Sequence, residues 1–453
     1  TRLRVYILYF RLLSDWADQN QLLGNGIAMT TEFTMTRVPL VLSLSCALLL
    51  ALTAGSQALA VTDETGPDET PAPEEIRGEE PPILNNSGQA YLREIVKLES
   101  AGGAYDAQLP EYLLSLGLSL QQSGSHQAAI DAFKRGVHLA RINDGLYSAQ
   151  QIPMLQREIA SHMALGQYAE ADERQLYLYR VQMRSMEGGI TRAQAFMQQA
   201  RWQYNAYRLA LDGQGYARLL TMWDLYRLAL NDIVDRQGET SSLLMQPLEG
   251  MLLAQYLIGA YDVGDISTVG TADNFSVQQQ LNRFNAYRAQ NFQKGRAVIQ
   301  AMYDIEAANH GKDSRQAVQS RILLGDWLLW YGKSESALST YREAIAELVA
   351  LGDAEQEIDA IFGEPVALPN YDGAKPLPAT VPQEQANLWV QFDVDKKGKV
   401  ANLARVDESE LDTGPANRVM RSLRRTRFRP RLAMGEPQDT EMVMRTYEIQ
   451  QPQ

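Results

Sequence analysis

Cysteine is all but missing: the chain holds one, Cys46. A disulfide-stapled fold is therefore excluded. Histidine is scarce as well. His126, His138, His162 and His310 are scattered, and no pair has the i, i+4 spacing that would hold a metal with a carboxylate between. Basic residues are outnumbered, 42 Lys and Arg against 55 Asp and Glu, for a net charge of −13. That balance speaks against nucleic acid as the main ligand, which needs a basic footprint. No nucleophile motif, phosphate loop or carboxylate pair set beside a base is present, so no catalysis and no cofactor are expected. Present instead is an ordinary apolar fraction of 45% in 453 residues, enough for two or three domains.

Long apolar runs are also rare, and the notable one spans Val38 to Ala54. Arg37 precedes it, and Ser56-Gln57-Ala58-Leu59-Ala60 follows. A basic flank, an apolar stretch and a small-x-small end form a secretory signal, with cleavage expected after Ala60. The initiator is then Met29 or Met35, so 1–28 reads as upstream translation and 29–60 as signal peptide. The alternative is an uncleaved run that stays as a membrane anchor. A lipid attachment through Cys46 fits less well, because Ser43-Leu44-Ser45 is a poor lead-in and the apolar run continues beyond it. Residues 61–83 mix Asp, Glu and Pro and cannot bury enough apolar surface to offset chain entropy; a solvated linker is expected.

From 84 to 360 the pattern is helical and it repeats. Gly103-x-Tyr105-x-Ala107-Gln108 returns as Gly145-x-Tyr147-x-Ala149-Gln150, and more weakly at Gly189 and Gly311. Small residues at Gly117, Ala129, Gly325 and Ala337 predict close approach of paired helices. Gly124 and Gly332 predict left-handed helix ends. Phe133 and Tyr341 are expected to plug the gap to the next unit. These segments, with Gly166-x-Tyr168-x-x-Ala171, resemble tetratricopeptide repeats (TPRs) of a longer-helix variety. Five or six helical pairs in a right-handed solenoid are expected, with 200–310 matching poorly. The aromatics Trp202, Tyr204, Tyr207, Tyr216, Trp223 and Tyr226 read as packing between repeats rather than a ligand groove. The Gly- and Asp-rich stretch Asp262–Asn274 reads as an exposed connection without the acidic spacing of a calcium loop.

Residues 361–383, rich in Pro and Gly, read as a linker. Alternation then sets in over 384–453. Leu388, Val390, Phe392 and Val394 share one face of a strand, Asp395-Lys396-Lys397-Gly398 turns it, and Lys399–Val406 returns. A helix capped by Asp412 or Thr413 carries Ala416, Val419, Met420 and Leu423 inward and is expected to stop at Pro430. Gly435-Glu436-Pro437 turns the chain into a last strand over Glu441–Ile449, with Val443, Tyr447 and Ile449 inward. Seven arginines fall between Arg418 and Arg431, in the stretch Arg424-Arg425-Thr426-Arg427-Phe428-Arg429-Pro430 and just before and after it. Over 382–453 the basic and acidic counts nearly cancel, so a solvated helix face is the plain reading; the sharper one is a contact for an acidic partner, envelope polymer or anionic lipid, or for the chain's own acidic 61–83 linker folded back onto it.

Strand, D-x-x-G turn, strand, helix with Arg-Arg, Arg-Phe-Arg-Pro, Gly-x-Pro and strand together resemble the C-terminal domain of the TonB family. The fold class expected is therefore mainly α, a TPR-like solenoid followed by a small α+β (ββαβ) domain. The resemblance implies the envelope of a Gram-negative bacterium and a periplasmic location. It also implies an envelope-protein partner, such as a segment of an outer-membrane transporter, that adds a strand to the edge of the last strand. Arg427, Phe428, Pro430, Val443, Arg445 and Tyr447 are the partner-binding residues it implies. The chain departs from full energy transducers in two ways: the 38–54 run has Ser43 and Ser45 but no His, and the spacer is short and acidic. An adaptor that binds partners through both parts is expected; the alternative is an anchored energy transducer.

Overall fold

The computed structural model describes residues 85–449, apart from 212–214, 263–273, 353–354, 408–412 and 434. The upstream segment, the signal peptide, the acidic linker and most of the Asp262–Asn274 connection lie outside the described residues. The helical part runs α1 (Asn86–Gly102), α2 (Leu109–Gln122), α3 (His126–Asp144), α4 (Gln151–Ala164), α5 (Tyr168–Ser185) and α6 (Ile190–Arg208). It continues with α7 (Tyr216–Gln237), α8 (Met245–Ala260), α9 (Asn274–Ala289), α10 (Asn291–His310), α11 (Arg315–Trp330), α12 (Ser334–Ala350) and the short α13 (Glu355–Phe362). From α1 to α8 each helix packs on the next; α8 then packs on α10, α10 on α11 and α11 on α12. Helix α9 stands aside and meets its neighbours mainly through Phe284 and Tyr287.

Two features repeat at atomic level. At the ends of α2, α4 and α11, Gly124, Gly166 and Gly332 take φ values of 79°, 71° and 74°. The next residue's N–H then returns to the carbonyl five residues earlier: Ser125 to Leu120 at 2.9 Å, Gln167 to His162 at 2.9 Å and Lys333 to Leu328 at 2.8 Å. Glycine makes this left-handed closure inexpensive and satisfies the last carbonyls of the helix. The second feature is glycine under an aromatic ring. A Cβ on Gly117 would lie 2.3 Å from Phe133, and one on Gly325 2.4 Å from Tyr341. The expectation placed these rings in the gap to the next unit; each is seated instead on the glycine of its own helix pair. Ala129 and Ala337 are fully buried beside them. Between 200 and 310 the same device has a different register: Tyr226 lies on Gly250 and Trp327 on Gly295. Trp202, Tyr216, Trp223 and Tyr226 are buried, so that aromatic stretch is packing.

The C-terminal module has β1 (Val366–Leu368), β2 (Leu388–Val394), β3 (Val400–Arg405), α14 (Thr413–Arg425), β4 (Arg427–Arg429), β5 (Arg431–Ala433), β6 (Glu436–Gln438) and β7 (Thr440–Tyr447). The main sheet has the order β3-β2-β7, antiparallel throughout. Strand β2 alternates strictly, and Leu388, Val390, Phe392 and Val394 meet Ala416, Val419 and Leu423 of α14 in one core. The helix ends at Arg425, earlier than Pro430, because Arg427–Arg429 pairs with β1. That partner lies in the Pro-rich stretch read as a linker. Glu436 and Pro437 belong to a strand as well, and Gly435 alone takes the left-handed turn, φ 80°. The 361–383 stretch also packs on the helices: the Tyr371 hydroxyl donates to the Glu249 carbonyl at 3.1 Å, and the Tyr204 hydroxyl to the Gly373 carbonyl at 3.2 Å.

Candidate partner-binding edge of the C-terminal module

The turn after β2 sets up the module. The Asp395 carboxylate accepts from the Lys397 and Lys399 N–H groups at 2.9 and 2.8 Å, an Asx-type closure. Gly398 completes it, and its carbonyl accepts from the Phe428 N–H at 2.8 Å, which ties the hairpin tip to β4. Phe428 is buried with its ring 5.4 Å from Phe392. Val443 and Tyr447 are buried in the same core, and Pro430 is buried too. Arg427 is half-buried and donates to the Lys397 carbonyl at 3.0 Å. Arg445 is half-buried, donates to the Pro365 carbonyl at 3.4 Å and pairs with Glu364 at 3.5 Å. The structure thus gathers all the sequence-named residues in one module. It makes four of them core and the two arginines ties to backbone.

The edge itself is built of other groups. Strand β7 has β2 on one side and, among the described residues, no strand on the other. The connecting segment covers one point of that side: the Val381 N–H donates to the Thr446 carbonyl at 3.1 Å, and the Thr446 hydroxyl to the Val381 carbonyl at 2.6 Å. Backbone groups alternate in direction along a strand, so Met444 presents its N–H and C=O the same way as Thr446. Met442 and Met444 are 68% and 40% exposed beside this edge. Methionine is a flexible, adaptable contact for a varied apolar partner. Sequence reading missed both, because methionine alternating with Val443 and Arg445 reads only as the outer face of a strand.

One carboxylate fixes the shape of the sheet. Asp393 accepts the Met442 N–H at 2.9 Å and the Asn402 side-chain amide at 2.6 Å. Both donors sit at left-handed positions, φ 53° and 50°, at irregularities on the two strands flanking β2. The Met442 N–H and the Asn402 amide hold the Asp393 carboxyl below its usual range. Arg405 likewise holds Asp407, at the end of β3, down to about 2.

A second missed residue joins the module to the helices. Arg429 is only 5% exposed. Its guanidinium donates to Asp326 of α11 at 3.3 and 3.4 Å and to the Ile361 carbonyl at 3.2 Å, and lies 5.2 Å from the Phe362 ring. The Tyr341 hydroxyl donates to the same Asp326 at 2.7 Å. Burial pushes the Asp326 carboxyl up, with Arg429 and Tyr341 opposing. Leu368 and Leu432 of the module share a core with Tyr341 and Phe362. The one available signal was Asp326 itself, a lone acid between Gly325 and Trp327 in an apolar helix. Among the described residues no His, Cys, Asp or Glu group is arranged to hold a metal, and no helix is long and apolar enough to cross a membrane.

No family model and no curated protein matches the chain. Among solved structures, the nearly identical TPR-like repeats of a kinesin light chain-like protein from Podosopora anserina match at 12% identity and TM-score 0.35. They cover 57% of this chain and 99% of theirs. A singly substituted form of those repeats matches at the same identity and TM-score over 55% of this chain. Likeness at that level transfers no activity or partner, and the TPR-like character of the helices stands on the glycine closures and ring seats described above.

Proposed function

We propose that this protein is a non-enzymatic adaptor of the cell envelope, binding partner proteins through its TPR-like helices and its C-terminal module. The module's resemblance to the TonB family suggests the mode: an extended partner segment adds a strand to β7. The observation that carries this reading is the edge at Met444, whose backbone groups face away from β2 beside two exposed methionines. Strand addition draws affinity from main-chain hydrogen bonds, so buried Phe428, Val443 and Tyr447 serve it by holding the strand in place. The Val38–Ala54 run with its Ala58-x-Ala60 end supports export to the periplasm.

Photo-crosslinking from position 444 in intact cells tests the edge. One partner segment should be captured. Met444→Pro, which removes an outward N–H that β2 does not use, should abolish stable capture of that partner by the purified chain. Undiminished binding by Met444→Pro would sink strand addition. N-terminal sequencing of the exported chain should start at Val61. A retained apolar run would instead make the chain membrane-anchored and favour the energy-transducer alternative.

A further inference from the structure

A cleft of about 800 Å³ opens between the helices and the C-terminal module, away from the β7 edge. Its walls differ in kind. Leu257 near the end of α8, Trp330 at the end of α11 and Leu368 of β1 form an apolar wall. The other wall is basic, made by Arg418, Arg421 and Arg425 of α14, with Arg427 beyond them and Lys375 on the connecting segment. No Asp or Glu lines the cleft among the described residues. Lys375 pairs with Asp372 at 3.0 Å, but that carboxylate is almost wholly turned to solvent. Arg418, Arg421 and Arg425 are exposed and form no ion pair among the described residues. Three acids of the module are engaged elsewhere: Asp393 and Asp395 accept from backbone and amide donors, and Asp407 pairs with Arg405.

We propose that this cleft binds an acidic stretch of a partner protein. The partner's carboxylates would lie on the arginine row and an apolar side chain against Trp330 and Leu257. This rests on the adaptor reading but not on strand addition. The arginines stand at i, i+3 and i+7, so they share one helix face and are spaced about 4.5 and 6 Å apart along it. That is a row about 10 Å long, not a point of convergence, so it suits a line of carboxylates better than one compact anion. An extended peptide advances about 3.3 Å per residue, and its alternate side chains, about 6.6 Å apart, match the spacing. Each guanidinium can take a carboxylate with two parallel hydrogen bonds. The volume falls in the range of about 300–1,000 Å³ common for ligand sites.

The test uses the full chain and a fluorescent peptide of alternating glutamates with a central leucine, followed by anisotropy at low and moderate salt. Saturable binding that weakens with salt is expected, and the glutamine version of the peptide should not bind. The triple variant Arg418→Gln, Arg421→Gln, Arg425→Gln should weaken binding at least tenfold. Arg424→Gln, on the same helix but outside the cleft, should leave it unchanged. If the triple variant melts early by circular dichroism, Arg421→Gln alone should still weaken binding about threefold. Equal binding by these variants overturns the proposal. So does inorganic polyphosphate or a phosphatidylglycerol vesicle that displaces the peptide at lower concentration than unlabelled peptide does. Met444→Pro should not affect this binding. Loss of peptide binding in Met444→Pro would overturn the separation of the two sites, whereas failure of the arginine variants alone leaves the β7 reading standing.

Discussion

Gly398 has to be glycine for two independent reasons. Its φ is 74°, and a Cβ there would lie 1.8 Å from the Phe428 carbonyl oxygen. The first reason is legible in Asp395-Lys396-Lys397-Gly398; the second is not, because Phe428 comes thirty residues later. Gly398→Ala should destabilise the module by about 3 kcal/mol, the left-handed strain and a backbone clash together. Urea unfolding followed by tryptophan fluorescence measures it. Lys294 was not legible at all: its burial depends on α9, which brings Tyr287 to within 3.6 Å of the ammonium. Burial pushes Lys294 down to about 8, partly offset by Asp224. Above that pH the folded chain has released a proton that the unfolded chain keeps until about 10.4, so raising the pH favours the folded state. Relative to Lys294→Met, the wild type should gain about 2 kcal/mol between pH 8 and pH 10. Parallel denaturant titrations of the two chains that run level across this range would refute it.

At the scale of elements, legibility followed how local the cause was. Helix ends at Gly124 and Gly332 need only their own glycine, and strand β2 needs only its alternation; both were readable. The end of α14 was not, because β4 exists by pairing with β1, some sixty residues earlier in a stretch whose prolines suggest a linker. The repeats between 200 and 310 were hidden for a similar reason, since Gly250 and Gly295 meet their rings from different offsets. Helix α6 closes as the glycine-ended helices do, with the Leu211 N–H reaching the Ala206 carbonyl at 3.2 Å, but it places Ala210 at φ 52°. Ala210→Gly should therefore stabilise the chain, by up to about 1 kcal/mol, read as a higher melting temperature. The sheet depends on Asp393 in the opposite sense. Its carboxyl is held low, so its contribution is full above about pH 4 and is lost as pH falls through the folded value. Asp393→Ala should speed hydrogen exchange at Met442 at neutral pH, and unchanged exchange would show that the irregularity holds itself.

For the whole molecule, the two parts were legible and their joint was not. Helical repeats and an alternating terminal module each announce themselves by period, but the joint rests on Arg429 and Asp326, 103 residues apart. Composition and charge count treat Arg429 as one more arginine in a basic run, whereas the fold buries it against Asp326, Phe362 and the Ile361 carbonyl. The joint has a consequence for adaptor action: partners held by the helices and by the module would be held at a fixed separation rather than on a tether. Arg429→Met tests this. It leaves Asp326 buried with only the Tyr341 hydroxyl as partner, and removing one member of a buried ion pair costs about 3–5 kcal/mol. Part of that loss should return when Asp326→Asn is added, because the uncompensated charge is then gone. If the joint couples the parts, Arg429→Met should also split unfolding into two steps, with the C-terminal module released first. Limited proteolysis between Glu364 and Val381 should accelerate in parallel. A single transition shifted by less than about 1 kcal/mol would show that Leu368 and Leu432, packed with Tyr341 and Phe362, hold the parts together without the ion pair.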